Sequence, residues 1–366
     1  MLYYLHQLEH FFGPLRLFRY VTFRGSMALV TALLWGIFVG PKIFAALQRL
    51  KIKDVVRDAS VIKDLAALHE QKKAIPTMGG IAILSGVCVS CLLWLKPNVY
   101  GCCALLTGLF LGLVGAIDDG LKLKYKNTRG LSGRRKLAAQ AFATVCVLWV
   151  LLHTTGIEEH IRQLYIPFLK NPLWTNIPFV ALAIFWFLVI AGTSNALNLT
   201  DGLDGLAIGC TLPVLLTYTV FAYVTGHIHL ARYLNLPYLN GVEELSILCL
   251  AILGAGIAFL WFNAYPAEIF MGDTGSLAIG GWIGCVALMI HQAFTLILVG
   301  LVFVVETLSV ILQVFSYKTF HKRCFKMSPI HHHFELSGIA EPKIVIRFWI
   351  VSLLCALFGL MTLKLR

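Results

Sequence analysis

The chain has 366 residues, of which 58% are hydrophobic and only 13% charged. Soluble domains carry about a quarter charged residues, so this balance, with a mean hydropathy of +0.80, excludes a water-soluble enzyme. The formal net charge of +12 does not call for nucleic acid, because membrane proteins gather Lys and Arg on their cytoplasmic side.

Residues 1–20 are mixed and aromatic with no small-residue cleavage site, so they do not read as a removable signal and the first span is expected to direct insertion. Apolar runs of about 20 residues predict ten spans, near 23–47, 77–95, 99–117, 137–153, 177–195, 206–225, 245–262, 276–290, 294–316 and 344–363. The expected fold is therefore an all-α polytopic membrane protein forming a single integral domain over 1–366. The connections after spans one, three and nine hold nineteen Lys and Arg residues, against eight on the opposite side. The positive side is cytoplasmic, which places both termini outward. Nine of the ten cysteines sit in apolar runs and read as small packing residues of a reducing-side protein.

The acidic and histidine residues fall on one face of this topology. Asp118 and Asp119 close span three, and Asn198, Asp201 and Asp204 follow span five in NALNLTDGLDG. Asn263 and Asp273 follow span seven in WFNAYPAEIFMGDTGS, and His331, His332 and His333 follow span nine in MSPIHHHFE. Carboxylates at a lipid interface are costly unless a cation satisfies them. Adjacent aspartates suit Mg²⁺, which takes oxygen ligands, commonly one or two carboxylates plus substrate phosphates. Such an ion neutralises charge on a leaving phosphate, while the basic loops attract an anionic nucleotide and an anionic lipid headgroup.

Each group also has a purely structural reading. An Asp-Asp pair can be a solvated helix end, and Asp201, Asp204 and Asp273 can be turn or N-cap residues. Their gathering on one face favours a shared site. Glu306 lies inside span nine, where an ionisable group is expensive, and reads as a helix–helix hydrogen bond or a support near the site.

These residues resemble a known family, the phospho-N-acetylmuramoyl-pentapeptide transferases of the polyprenyl-phosphate sugar-1-phosphate transferase superfamily. The resemblance covers essentially the whole chain. It rests on PTMGG at 76–80, Asp118-Asp119, NLTDGLDGLA at 198–207, FLWFNAYPAEIFMGDTGSLA at 259–278, VFVVETLSVILQV at 302–314 and PIHHHFE at 329–335. It implies ten membrane helices around a cytoplasmic cleft in a bacterial inner membrane, a homodimer, and Mg²⁺ as cofactor. The implied reaction joins UDP-N-acetylmuramoyl-pentapeptide to undecaprenyl phosphate.

The resemblance further implies Asp273 as the leading metal ligand, Asp118 as the base that keeps the lipid phosphate deprotonated, and Asp119 as a shaper of the metal and phosphate site. Lys72, Thr77, Asn198, Asp201, Asp204, Asn263 and Phe270 match family positions that bind substrate, several of them around the nucleoside. Lys122 and Lys136 would meet phosphates, and His331, His332, His333 and Gln313 would line the cleft. One departure stands at Ala74-Ile75, where relatives often carry Gly-Thr or His-Thr. Direct attack by the lipid phosphate is preferred over a covalent aspartyl intermediate. The competing readings are an N-acetylglucosamine-1-phosphate transferase of the same superfamily, which PIHHHFE disfavours, and a secondary transporter, disfavoured because the acids gather at one face and not at the midplane.

Overall fold

The computed structural model describes residues 1–49, 75–125 and 130–364. Among them the chain is helical throughout, with one isolated bridge between Leu164 and Trp174. The principal helices are α1 (Val21–Arg49), α2 (Gly80–Trp94), α3 (Val99–Tyr125), α4 (Gly133–Leu152), α5 (Phe179–Thr200) and α6 (Leu206–Gly226). They continue with α7 (Glu244–Asn263), α8 (Gly272–Met289), α9 (Thr295–Val299), α10 (Leu301–Phe320), α11 (Ile330–Glu335) and α12 (Glu341–Met361). A helix lies over each of the ten apolar runs. Eight of these helices, counted among the described residues, are long and apolar enough to cross a membrane.

The two others are α2, at 15 residues, and α8, at 18 residues. Helix α8 is rich in glycine, which lowers its hydropathy, and it occupies the middle of the bundle. Every residue from Asp273 to Met289 is buried, with α3 and α5 packed along it and α2 beside it. Its glycines allow that enclosure. A Cβ on Gly280 would stand 2.6 Å from the Ser194 Cα of α5, closer than packed atoms tolerate. The predicted span over 294–316 is broken into α9 and α10 at Gly300, whose φ of −95° and ψ of 24° leave the helical basin. A Cβ on Gly300 would stand 2.9 Å from the Leu296 carbonyl oxygen, so glycine suits the close approach at this break.

Helix α7 packs against α1, α2 and α6. At its start Glu244 forms a bidentate pair with Arg24 of α1, at 2.6 and 2.8 Å. Both side chains are almost fully buried. The Lys96 amide donates to the same carboxylate at 2.9 Å, and Arg24 also reaches the Trp94 carbonyl at 3.1 Å. Twenty helical residues span about 30 Å, so this pair lies at the end of α7 remote from Asn263 and fixes α1, α2 and α7 there.

Removing one partner of a buried pair costs about 3–5 kcal/mol, whereas replacing both with apolar groups is often neutral. Arg24→Met is therefore expected to lower the thermal unfolding midpoint in detergent sharply, and Arg24→Met with Glu244→Leu to restore most of it. Equal losses in single and double variants would remove the pair from the framework.

Candidate active site

The acid cluster is built where two helix ends meet. Asp118 and Asp119 lie toward the C-terminal end of α3, whose last turn carries Lys122 and Lys124, and Asp273 lies in the first turn of α8. The first amides of a helix have no intrahelical partner. Asp119 supplies one: its Oδ2 accepts from the Thr274 amide at 3.0 Å and the Thr274 hydroxyl at 2.7 Å, while Oδ1 lies 3.3 Å from the Asp273 amide. The neighbouring Gly272 has a φ of +72°, and a Cβ there would press on Asp119 Oδ2 at 2.7 Å. Glycine thus permits both the turn into α8 and the approach of the carboxylate.

Two lysines face the three carboxylates. Lys136 bridges Asp273 Oδ2 at 2.5 Å and Asp118 Oδ2 at 3.0 Å. Lys122 lies 2.7 Å from Asp118 Oδ2, 3.3 Å from Asp273 Oδ1 and 3.6 Å from Asp119 Oδ1. Asp118 Oδ1 accepts from the Leu131 amide at 2.5 Å, but its buried Oδ2 has no aligned hydrogen bond and is held by charge alone. Asn198 donates to Asp273 Oδ1 at 2.8 Å and to the Ser276 hydroxyl at 2.9 Å. Three carboxylates against two ammoniums leave one formal negative charge.

One oxygen from each of Asp118, Asp119 and Asp273 lies within 4.8 Å of the others. An all-oxygen donor set with surplus negative charge fits a hard divalent cation, and the cluster could hold a metal.

The remaining site residues are tied to this centre by short contacts. Asn263, buried at the end of α7, accepts from the Gly205 amide at 3.1 Å and donates to the Ile269 carbonyl at 2.8 Å. Asp204 accepts from the Ala267 amide at 3.1 Å, and its own amide donates to Glu341 at 2.9 Å. These bonds lock the 201–205 turn to the 264–270 segment. Half-buried Phe270 pairs its backbone with Pro76 and Gly79, which brings PTMGG against Gly272. Thr77 Oγ1 would lie 3.1 Å from a Cβ at Gly272. Asp201 is partly exposed in the turn after α5.

The histidines sit on α11. His331 is fully buried, 3.1 Å from Glu306 Oε2. His332 contacts Glu335 at 2.9 Å, and His333 Nδ1 accepts from the Lys326 amide at 3.1 Å. Glu306 thus braces α11 from within α10, reaching a short helix outside the span. Gln313 uses its amide on backbone, bonding Cys324, Phe325 and the Phe325 carbonyl at 2.9–3.0 Å. Lys72 and most of the basic loop around it lie outside the described residues.

Sequence reasoning passed over Thr274, Ser276, Leu131 and Glu341. The hydroxyls of GDTGS carried a signal, since small polar residues at a helix start commonly bond its free amides. Leu131 acts through its backbone and gives no side-chain signal.

Asp119→Asn replaces an anion that accepts from two amides and a hydroxyl, and hydrogen bonds to charged groups contribute about 1.5–3 kcal/mol each. Its unfolding midpoint is expected to fall further than that of Asp118→Asn. The reverse order in a thermal melt would contradict the capping role of Asp119.

Comparison with known proteins shows the family. Residues 102–291 match the glycosyl transferase family 4 model. A phospho-N-acetylmuramoyl-pentapeptide-transferase of Methylacidiphilum infernorum is 47% identical, and one of Opitutus terrae is 46% identical. Both alignments cover all of this chain and all of the relative.

Proposed function

We propose, from the premise that the chain belongs to the phospho-N-acetylmuramoyl-pentapeptide-transferase family within glycosyl transferase family 4, that it transfers phospho-N-acetylmuramoyl-pentapeptide from its uridine diphosphate donor to undecaprenyl phosphate. The products are UMP and lipid I, the first lipid-linked intermediate of peptidoglycan synthesis. The observation that carries the reading is the buried cluster of Asp118, Asp119 and Asp273 faced by Lys122 and Lys136, in a chain 47% identical to such a transferase over its whole length.

The reading takes residues 1–366 as one integral transferase domain of a bacterial inner membrane. It has ten crossings, both termini periplasmic and the acid cluster at the cytoplasmic face. The count of basic residues supports that orientation. A homodimer is the proposed assembly.

In the proposed reaction an oxygen of the lipid phosphate forms a bond to the β-phosphorus of the donor. The bond from that phosphorus to the bridging oxygen breaks, and its electron pair leaves on UMP. Asp118 holds the acceptor phosphate deprotonated. Its Oδ2, held by Lys122 at 2.7 Å and Lys136 at 3.0 Å, becomes the proton acceptor once those ammoniums turn to phosphate. Lys122 and Lys136 turn from carboxylates to phosphates and spread the developing charge. Asp119 acts by position, because both its oxygens are occupied at the start of α8. That occupancy favours direct attack by the lipid phosphate over a covalent adduct on Asp119.

Asp273, Asp118 and Asp119 would hold Mg²⁺, which when bound supplies Lewis-acid neutralisation of the diphosphate. Asn198 keeps Asp273 in place. Asp201, Asp204, Asn263, Phe270, Thr77 and Lys72 form the proposed nucleoside and phosphate wall, with Phe270 stacking on uracil. His331, His332, His333 and Gln313 belong to the rim formed by α11 and the loop before it.

The test is UMP release by the detergent-purified chain with undecaprenyl phosphate and Mg²⁺, comparing UDP-N-acetylmuramoyl-pentapeptide with UDP-N-acetylglucosamine. Turnover with the first donor alone, lost on chelation, is expected. Turnover with the second alone would move the chain to the N-acetylglucosamine-1-phosphate branch. Asp118→Asn, Asp119→Asn and Asp273→Asn should each abolish turnover in folded protein. Near-normal activity in any one would remove that residue from the catalytic set.

A further inference from the structure

We infer that Glu306 is a positioning residue, acting through His331 to set the 201–204 turn against which the nucleoside is proposed to bind; the inference rests on the transfer reading above. Glu306 belongs to α10, a helix with many lipid-facing residues, yet its own side chain is fully buried. An ionisable group at such a position is expensive and calls for a role. Its Oε2 accepts from the Ile330 amide at 3.0 Å and lies 3.1 Å from His331 Nδ1. The first contact satisfies an amide at the N-terminus of α11 that no intrahelical carbonyl can reach. The second packs the imidazole edge against the carboxylate at ion-pair distance, which limits where the ring can sit.

The far edge of that ring meets the turn. A Cβ placed on Gly202 would overlap His331 Nε2, so the imidazole fills the space directly beneath the residue between Asp201 and Leu203. On the opposite side the turn is anchored by hydrogen bonds from Gly205 to Asn263, from Asp204 to Glu341, and from Ala267 to Asp204. One side is therefore held by bonds and the other by a ring packed against the Glu306 carboxylate. Glu306 Oε1 and both ring nitrogens of His331 are buried without an aligned hydrogen bond. Buried polar atoms in that condition are uncommon and call for an explanation. A packed apolar pair would be the simpler core, whereas a carboxylate and an imidazole give α11 and the turn a fixed register.

The experiment uses the full chain in detergent. UMP affinity by calorimetry, and KM and kcat with the pentapeptide donor, are measured for Glu306→Ala, Glu306→Gln, His331→Ala and the double alanine variant, each with its unfolding midpoint. Glu306→Ala and His331→Ala are each expected to weaken UMP binding and raise KM by about tenfold, with a smaller change in kcat. The double variant is expected to be no worse than either single one, the signature of residues acting as a unit. Glu306→Gln keeps an acceptor for Ile330 and should recover most of the affinity. A merely structural role would lower the midpoint and leave UMP affinity and KM unchanged in the folded fraction, and that result overturns the inference, as do additive losses. Should Glu306→Ala fail to fold, Glu306→Gln and His331→Ala decide, since normal UMP affinity in His331→Ala overturns the coupling. Absence of UMP binding and turnover in the unmodified chain would sink the transfer reading itself, and the inference with it.

Discussion

A carboxylate withdrawn from water must be met by donors or cations, and the acid end of this bundle is arranged around that demand. Asp119 is satisfied by the amides at the start of α8 that have no intrahelical partner, so one side chain of α3 fixes where α8 begins. That start carries Asp273, which Asn198 of α5 and Lys136 of α4 then hold. Lys122, one turn beyond Asp118 on α3, closes the group. Four helices are thereby registered against one another by the electrostatics of three acids. The same arrangement leaves Asp118 Oδ2 and the Asp273 oxygens facing lysine ammoniums, with Asn198 also on Asp273, and not backbone donors, which suits them to exchange partners when phosphates arrive.

The opposite end obeys the same rule with a different solution. Arg24 and Glu244 satisfy each other in bidentate geometry, and the Lys96 amide and the Trp94 carbonyl complete the set. The charges of that pair cancel, with only Arg24 Nε left without a hydrogen-bond partner, whereas the acid end retains one uncompensated charge. A framework pair and a reactive cluster differ in this bundle by that imbalance, not by depth of burial.

Much of this was legible in the sequence. Long apolar runs predicted a helix at each of ten places because hydropathy over about 20 residues is a strong signal. The grouping of Asp118, Asp119, Asp273, Lys122, Lys136 and Asn198 followed from charge bias, which sorted loops to one face. What could not be read was the division of labour among the acids. Asp118 and Asp119 are adjacent in sequence and alike in chemistry, and only their rotation around α3 sends one to the amides of α8 and the other to the lysines. The break at Gly300 was hidden for a related reason, since a single glycine in a long apolar run leaves its average hydropathy almost unchanged. Gln313 matched a family position by type, but its commitment to the backbone of residues 324 and 325 is a tertiary fact. The contact of Glu306 with α11 is another, joining residues 24 positions apart.

The enclosure of α8 has a mechanical consequence. A bilayer that thins or thickens acts on the lipid-facing surfaces of a protein by tilting them or stretching their boundary. Helix α8 has none from Asp273 to Met289, so such forces reach the Asp273 carboxylate only through the helices packed on it, chiefly α3 and α5. Helix α10 is in the contrary position, with Ile311, Leu312, Phe315 and Tyr317 all exposed and with Glu306 touching α11. The two halves of the site thus differ in their sensitivity to the surrounding membrane. Lipid composition has a more direct lever on the histidine rim, and on Asp118 and Asp119 through the exposed Leu113 and Ile117 of α3, than on Asp273.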